Sequence, residues 1–345
     1  MSASASRVIL EPADEYCHEP DAATSYNESM YLNALDPARG VGAWFRLGNR
    51  VREGHAEMSC CVYLPDGRVG FMFKRPRIES NAALDAGGLC FEVVEPLRRL
   101  RLTYAGSLCV LARPRDMADP ARAFRENLVV RAAVTLDCTG LAPPYGGRPV
   151  AADGAGAAAD PAQSFARAHY EQHVAIAGTI AVGDERWPIA GLGLRDKSWG
   201  PRFWQAIRWY RWLPISFGPD FGMVLTLIGG ERTREAGMVM HDGAYVPIRT
   251  ARIESEWDAD GYQTALRAEA HTDTRRYEVT GRVRSLIPLR NRRTAPDGVA
   301  LETRITEGLT EYRCDGRVGW GLSEYLDQIV DGRPVGPDVR PPRGG

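Results

Sequence analysis

The sequence predicts an all-β chain folded as two antiparallel barrels or sandwiches with a few short helices, and three observations predict it. Apolar runs are short and separated by turn signals, several stretches alternate apolar with polar residues, and a segment poor in large apolar side chains divides the chain near its middle. The 345 residues, 44% hydrophobic and 25% charged, suffice for two cores of ordinary globular composition.

Taken in order, SCCVYLPDGRVGFMF (59–73) sets Pro-Asp-Gly between two apolar runs and predicts a hairpin. DPARAFRENL (119–128) opens with Asp then Pro, the order of an N-cap and first helical turn, and predicts a short helix; DPAQSFARAHY (160–170) repeats that order. Between them, PPYGGRPVAADGAGAAADP (143–161) reads as a linker or exposed loop. GMVMHDGAYVPI (237–248) and TEYRCDGRVGWGL (310–322) each carry Asp-Gly, the strongest short hairpin signal. In EVTGRVRSLI (278–287), Val279, Gly281, Val283 and Ser285 share one side of a strand, and Glu278, Thr280, Arg282 and Arg284 the other. The expected organisation is a barrel over 1–145, a linker over 146–162 and a second barrel over 163–338, each of a size for eight to ten strands. No fixed-period repeat is evident between them.

A formal net charge of -1 gives no reason to expect a nucleic acid or an anionic membrane as partner. No apolar run approaches the roughly 20 residues that span a bilayer, and the N-terminus lacks the charged-then-apolar order of a signal peptide. A cytoplasmic protein is expected. The seven cysteines form no C-x-x-C pair, so buried free thiols are expected rather than zinc or redox work.

The chemistry concentrates in GLGLRDKSWGPRFWQAIRWYRW (191–212), which holds four of the eight tryptophans, Trp199, Trp204, Trp209 and Trp212, among five positive charges and the single acid Asp196. Their spacing matches neither a helical stripe at about 100° per residue nor one face of a strand. An irregular crossing held by Gly200 and Pro201, entering a strand near Ile207, accounts for them better. Two readings stay open: indoles lining a pocket, or indoles packed with arginines stacked on them. Asp196 likewise is either a carboxyl group desolvated among indoles, its pKa raised, or a partner of Arg195, Lys197 or Arg202. In HYEQH (169–173), His169, Glu171 and His173 would share one strand face; they could hold a metal, or one histidine could hydrogen-bond a substrate hydroxyl or carbonyl or cap a pocket, although exposed or internally satisfied histidines are the reading preferred.

GLGLRDKSWGPR resembles the Gly-x-x-x-x-Asp-x-x-Trp-Gly signature of the lipocalin-like hydroxyneurosporene synthase (carotenoid 1,2-hydratase) superfamily, whose members include uncharacterised bacterial tandem-barrel proteins and, more distantly, fungal Diels–Alderases. EGLTEYRCDGRVGWGLSEY, ending its Gly-x-Gly-x-x-Glu pattern in Glu324, and NESMYLNALDPARGVGAWFRLG (27–48) extend the likeness. Ser198 stands where the hydratase motif carries an acid. The resemblance implies two lipocalin-like calyces enclosing an apolar pocket, with no metal or redox cofactor, and chemistry begun by protonating a carbon–carbon double bond or a hydroxyl.

On this reading Asp196, Glu324 and His169 are the catalytic candidates. Trp199, Trp204, Trp209, Tyr210, Trp212, Glu28, Tyr31 and Trp44 are the substrate-binding ones. The expected partner is a hydrophobic small molecule, terpenoid or isoprenoid in type, and a homodimer is allowed. The outcome would be hydration, dehydration or cyclisation. The alternative function is a carrier that binds the same kind of molecule unchanged.

Overall fold

The computed structural model describes residues 7–150, 166–230, 233–294 and 298–336. They form two compact units. One draws on Met1–Val62, Gly70–Val110 and Val129–Ala206, the other on Tyr63–Val69, Leu111–Leu128 and Ile207–Gly345. No helix among the described residues is long and apolar enough to cross a membrane.

The first unit is a closed ring of eight strands: Tyr26–Asp36, Val41–Arg50, His55–Tyr63, Val69–Lys74, Arg99–Leu111, Leu128–Gly140, Ala168–Val182 and Glu185–Pro201. Each is hydrogen-bonded to the next, and the last returns to the first. Closure leaves the ring without an unpaired edge. Alternating burial shows which face is inside: Leu100, Leu102, Tyr104 and Leu108 are buried, whereas Arg99 and Ala105 are exposed. The buried Cys138 lies opposite Ile176, so Ile176, Val174, Gln172 and Tyr170 point inward and His169, Glu171 and His173 outward.

In the second unit Trp209–Ser216, Phe221–Gly229, Arg234–His241 and Ala244–Pro247 run to one side. Arg317–Val330, Ala300–Cys314, Arg276–Thr294, Gln263–His271 and Thr250–Trp257 run to the other. The strand at the far end of this curled sheet, Thr250–Trp257, is tied back to Arg234–His241 by Ala251 N–H donating to the Glu235 carboxylate at 2.7 Å. Its concave face holds Leu213, Ile215, Met223, Leu225 and Tyr325. The expected turns form: Asp242-Gly243 and Asp315-Gly316 have φ of 45°, 79°, 51° and 74°, the paired positive values of a tight hairpin turn. The two antiparallel sheets make the chain an all-β double barrel.

Helix Pro120–Glu126 starts where expected, with the Asp119 carboxylate accepting from Arg122 N–H at 3.1 Å. The second expected helix, 160–170, is corrected in part: Ala168–Tyr170 begin a strand, and 160–165 lie outside the described residues. Of the expected linker, 146–150 belong to strand Tyr145–Val150 and the rest lies outside the described residues. The chain then returns to the first unit, because its ring needs the hairpin 168–201 to pair with Tyr26–Asp36, and the units part at Ala206 and Ile207.

The inside of the first ring is not wholly apolar. Arg195 donates to Glu15 at 2.7 Å and to Gln172 Oε1 at 2.6 Å, and Lys197 pairs with Glu28 while donating to the Tyr16 carbonyl at 3.0 Å. These charges tie the N-terminal segment into the ring. Lys197 and Glu28 are fully buried, so removing one partner leaves the other charged and desolvated. Lys197→Met is expected to cost about 3–5 kcal/mol of folding stability, measured by denaturant unfolding.

Candidate functional site

On the outward face of the first ring, antiparallel register sets Glu171 opposite Asp196 and Asp196 opposite Tyr31. His169 Nε2 lies 2.7 Å from Asp196 Oδ2 and 3.6 Å from Glu171 Oε1. The imidazole is 46% exposed, Asp196 17% and Glu171 6%, so the cluster grades from solvent inward. Burial opposes a charge on His169, but Asp196 and then Glu171 outweigh it and hold the imidazole well above its ordinary value. The three side chains offer ligand atoms within 4.8 Å of one another and could hold a divalent cation; Asp196, rather than His173, completes that set.

Asp196 therefore sits on the outside of the barrel, not in its lumen among indoles. Alternation decides this: Arg195 and Lys197 point inward to Glu15 and Glu28, while Arg202 donates to Ser198 Oγ at 2.6 Å. Tyr31 and Trp44 share the outward face with Asp196, their rings 6.3 Å apart and nearly parallel, and Trp44 lies 6.2 Å from Phe71. The Trp44 indole N–H is buried without a hydrogen-bond partner among the described residues.

Glu28 and Trp199 occupy the inner face. Glu28 accepts from Tyr26 Oη at 2.8 Å and His18 N–H at 3.1 Å beside its Lys197 pair. Burial opposes its charge, yet His18 and Lys197 prevail and keep the carboxyl below its ordinary range. Trp199 stacks on His18 at 4.3 Å and receives Lys197 over its ring at 4.8 Å. Trp204 carries Arg46 and Arg202, each 5.4 Å from the ring. In the second unit Trp209 packs on Arg211, which donates two buried hydrogen bonds to the Asp327 carboxylate, each of 3.2 Å. Trp199, Trp204 and Trp209 thus face the protein's own cations.

The remaining candidates form a separate group on the convex face of the second unit. Glu324 stands opposite Trp212 on one side and Glu307 on the other, and the Tyr210 hydroxyl donates to Glu324 Oε1. Glu307 is 4% exposed; burial and the Glu324 carboxylate push its carboxyl well above the ordinary glutamate range. Sequence reasoning missed Glu307, although the signal existed. Once Asp315-Gly316 is the turn, counting back along both strands from Cys314 and Arg317 brings Glu307 opposite Glu324.

Residues 11–329 match the model of a domain of unknown function, DUF7064, so the chain belongs to that family. No functionally curated protein matches it. Among solved structures, it is similar to an ATTH-like protein from Nitrosomonas europaea (TM-score 0.58, 13% identity, 93% of this chain and 97% of that one). Kievitone hydratase from Nectria haematococca gives a TM-score of 0.52 at 8% identity over 94% and 93%. CghA bound to Sch210972 gives 0.51 at 12% identity over 88% and 89%. These likenesses show that the chain shares its fold with those structures.

The electrostatics of the outward cluster can be read directly. By NMR titration, the His169 imidazole is expected to lose its proton above the ordinary histidine range in the wild type and to return toward that range in Asp196→Asn.

Proposed function

We propose that this DUF7064 chain is an acid–base enzyme that protonates a double bond or hydroxyl of an apolar, terpenoid-like molecule, leading to hydration, dehydration or ring closure. The observation that carries the reading is the 2.7 Å contact between His169 Nε2 and Asp196 Oδ2, joined on one face by Tyr31 and Trp44. Similarity to a kievitone hydratase supports the reaction class at the level of fold.

His169, the more exposed group, takes a proton from solvent and shares it with Asp196. Asp196 delivers that proton to one alkene carbon, and the cationic carbon beside it lies against the rings of Tyr31 and Trp44, whose faces attract positive charge. In hydration, water bonds to that carbon and its surplus proton passes to Glu171, restoring neutrality. Dehydration runs the same steps backwards: protonated Glu171 gives its proton to the hydroxyl, water leaves, and Asp196 removes the proton from the neighbouring carbon and returns it to His169. The partnerless Trp44 N–H is suited to an oxygen acceptor on the substrate.

The test needs turnover and binding measured apart. Asp196→Asn is expected to lose at least about 100-fold in turnover with little change in affinity, and wild-type product formed in D2O should carry carbon-bound deuterium. Ligand recovered without deuterium, bound equally by both proteins, would instead identify a carrier.

A further inference from the structure

Strand Arg276–Thr294 of the second unit carries a β-bulge. Its ladder with Ala300–Cys314 shifts register between Val283 and Ser285, which leaves Arg284 as the extra residue. On its other side, the ladder with Gln263–His271 ends at the pair Ala265 and Arg282. Past that point the two strands no longer pair, and the chain around the short turn Pro114–Ala118, which packs against Arg276–Thr294, faces the gap. A cavity of about 550 Å³ remains, lined by Arg113, Arg115, Arg122, Arg284, Asp116 and Ser285 among others. All of its lining belongs to the second unit.

Four arginines and a single carboxylate line this cavity. Each guanidinium carries five N–H donors, and the neighbouring acids engage few of them. Arg113 Nε donates to Asp116 at 3.2 Å, Arg115 Nη1 lies 2.5 Å from Asp258 and 3.9 Å from Asp260, and Arg284 Nη2 donates to Glu311 at 2.5 Å. Arg122 is held more loosely: its carboxylate neighbours Asp116 and Glu126 stand at 3.6 and 3.7 Å, beyond hydrogen-bond reach. These arginines are partly exposed, and ion pairs of that kind hold their members weakly. Donors are therefore left for an anion. Beside the bulge, Ser285 Oγ is buried with no hydrogen-bond partner among the described residues, so no bond opposes its rotation into the cavity.

We propose that this cavity is a binding site for a phosphate monoester of a compact apolar alcohol. The three terminal oxygens of such a group accept from several directions, which suits separate guanidinium forks on facing elements better than the two coplanar oxygens of a carboxylate do. Arg122 comes from one wall, Arg284 from the other, and the Ser285 hydroxyl adds a donor from the bulge. The volume lies in the range of pockets for small organic molecules, about 300–1,000 Å³, and Pro114, Val283 and Leu286 offer apolar contact to the organic part. The site is independent of the His169–Asp196 reading, since the residues belong to different units.

Isothermal titration calorimetry of the full chain, with phenyl phosphate as the probe, tests the proposal. Saturable binding is expected, at least about tenfold tighter than that of inorganic phosphate, benzoate or phenol, and weakening as salt is raised. Arg122→Gln and Arg284→Gln are each expected to bind the ester about tenfold more weakly, and Ser285→Ala about threefold, with thermal unfolding little changed. Asp196→Asn should bind it as the wild type does. Three results would overturn the proposal: a wild type that does not bind phenyl phosphate, inorganic phosphate or benzoate bound as tightly as the ester, or folded Arg122→Gln and Arg284→Gln with undiminished affinity. Loss of turnover in Asp196→Asn alone would leave it standing.

Discussion

The strict two-residue period of strand Glu185–Pro201 governs the first unit. Consecutive residues of Arg-Asp-Lys-Ser-Trp must leave the backbone on opposite sides, so the two cations and the indole enter the ring while the acid and the serine leave it. Once inside, Arg195 and Lys197 need carboxylates, because an unpaired buried charge costs several kcal/mol at the order-of-magnitude level. Glu15 and Glu28 satisfy that need and thereby place the N-terminal segment. Asp196, freed from its sequence neighbours, meets His169 from the adjacent strand. One alternation thus separates the charges that anchor the N-terminal segment from the cluster of Asp196 with His169.

The same alternation explains why so much tryptophan sits beside so few acids. Trp199, Trp204 and Trp209 each lie against a Lys or Arg within 4.8 to 5.4 Å, sharing that cation with a carboxylate or another ring. Such stacking eases the burial of long basic side chains. Strand register sets Tyr31 opposite Asp196 in one unit and Trp212 opposite Glu324 in the other.

Much of the architecture was legible because its signals are local. Asp242-Gly243 and Asp315-Gly316 force hairpin turns by their own backbone preferences, and Asp119 caps a helix through its own carboxylate. What was not legible depended on closure. Whether Asp196 or Lys197 points inward is fixed by how Ala168–Val182 pairs with Leu128–Gly140, a relation no short window contains. The composition of the Pro- and Gly-rich stretch does not reveal that Ala168–Pro201, beyond it, pairs back into the first ring. Glu307 lay between these cases: its position followed from a turn that was read correctly, had the register been counted outward.

Ring closure also orders events during synthesis. Strand Tyr26–Asp36 waits for its partner Glu185–Pro201, so the first barrel stays open while most of its chain emerges from the ribosome. Meanwhile Tyr63–Val69 and Leu111–Leu128, which belong with the second unit, are already made and have nothing to join. Partners far apart in sequence fold slowly, and exposed strand edges invite mispairing in the interval. The chain's interleaved connectivity therefore makes its biogenesis sensitive to translation rate and chaperone supply in a way that two consecutive, self-contained barrels would not be.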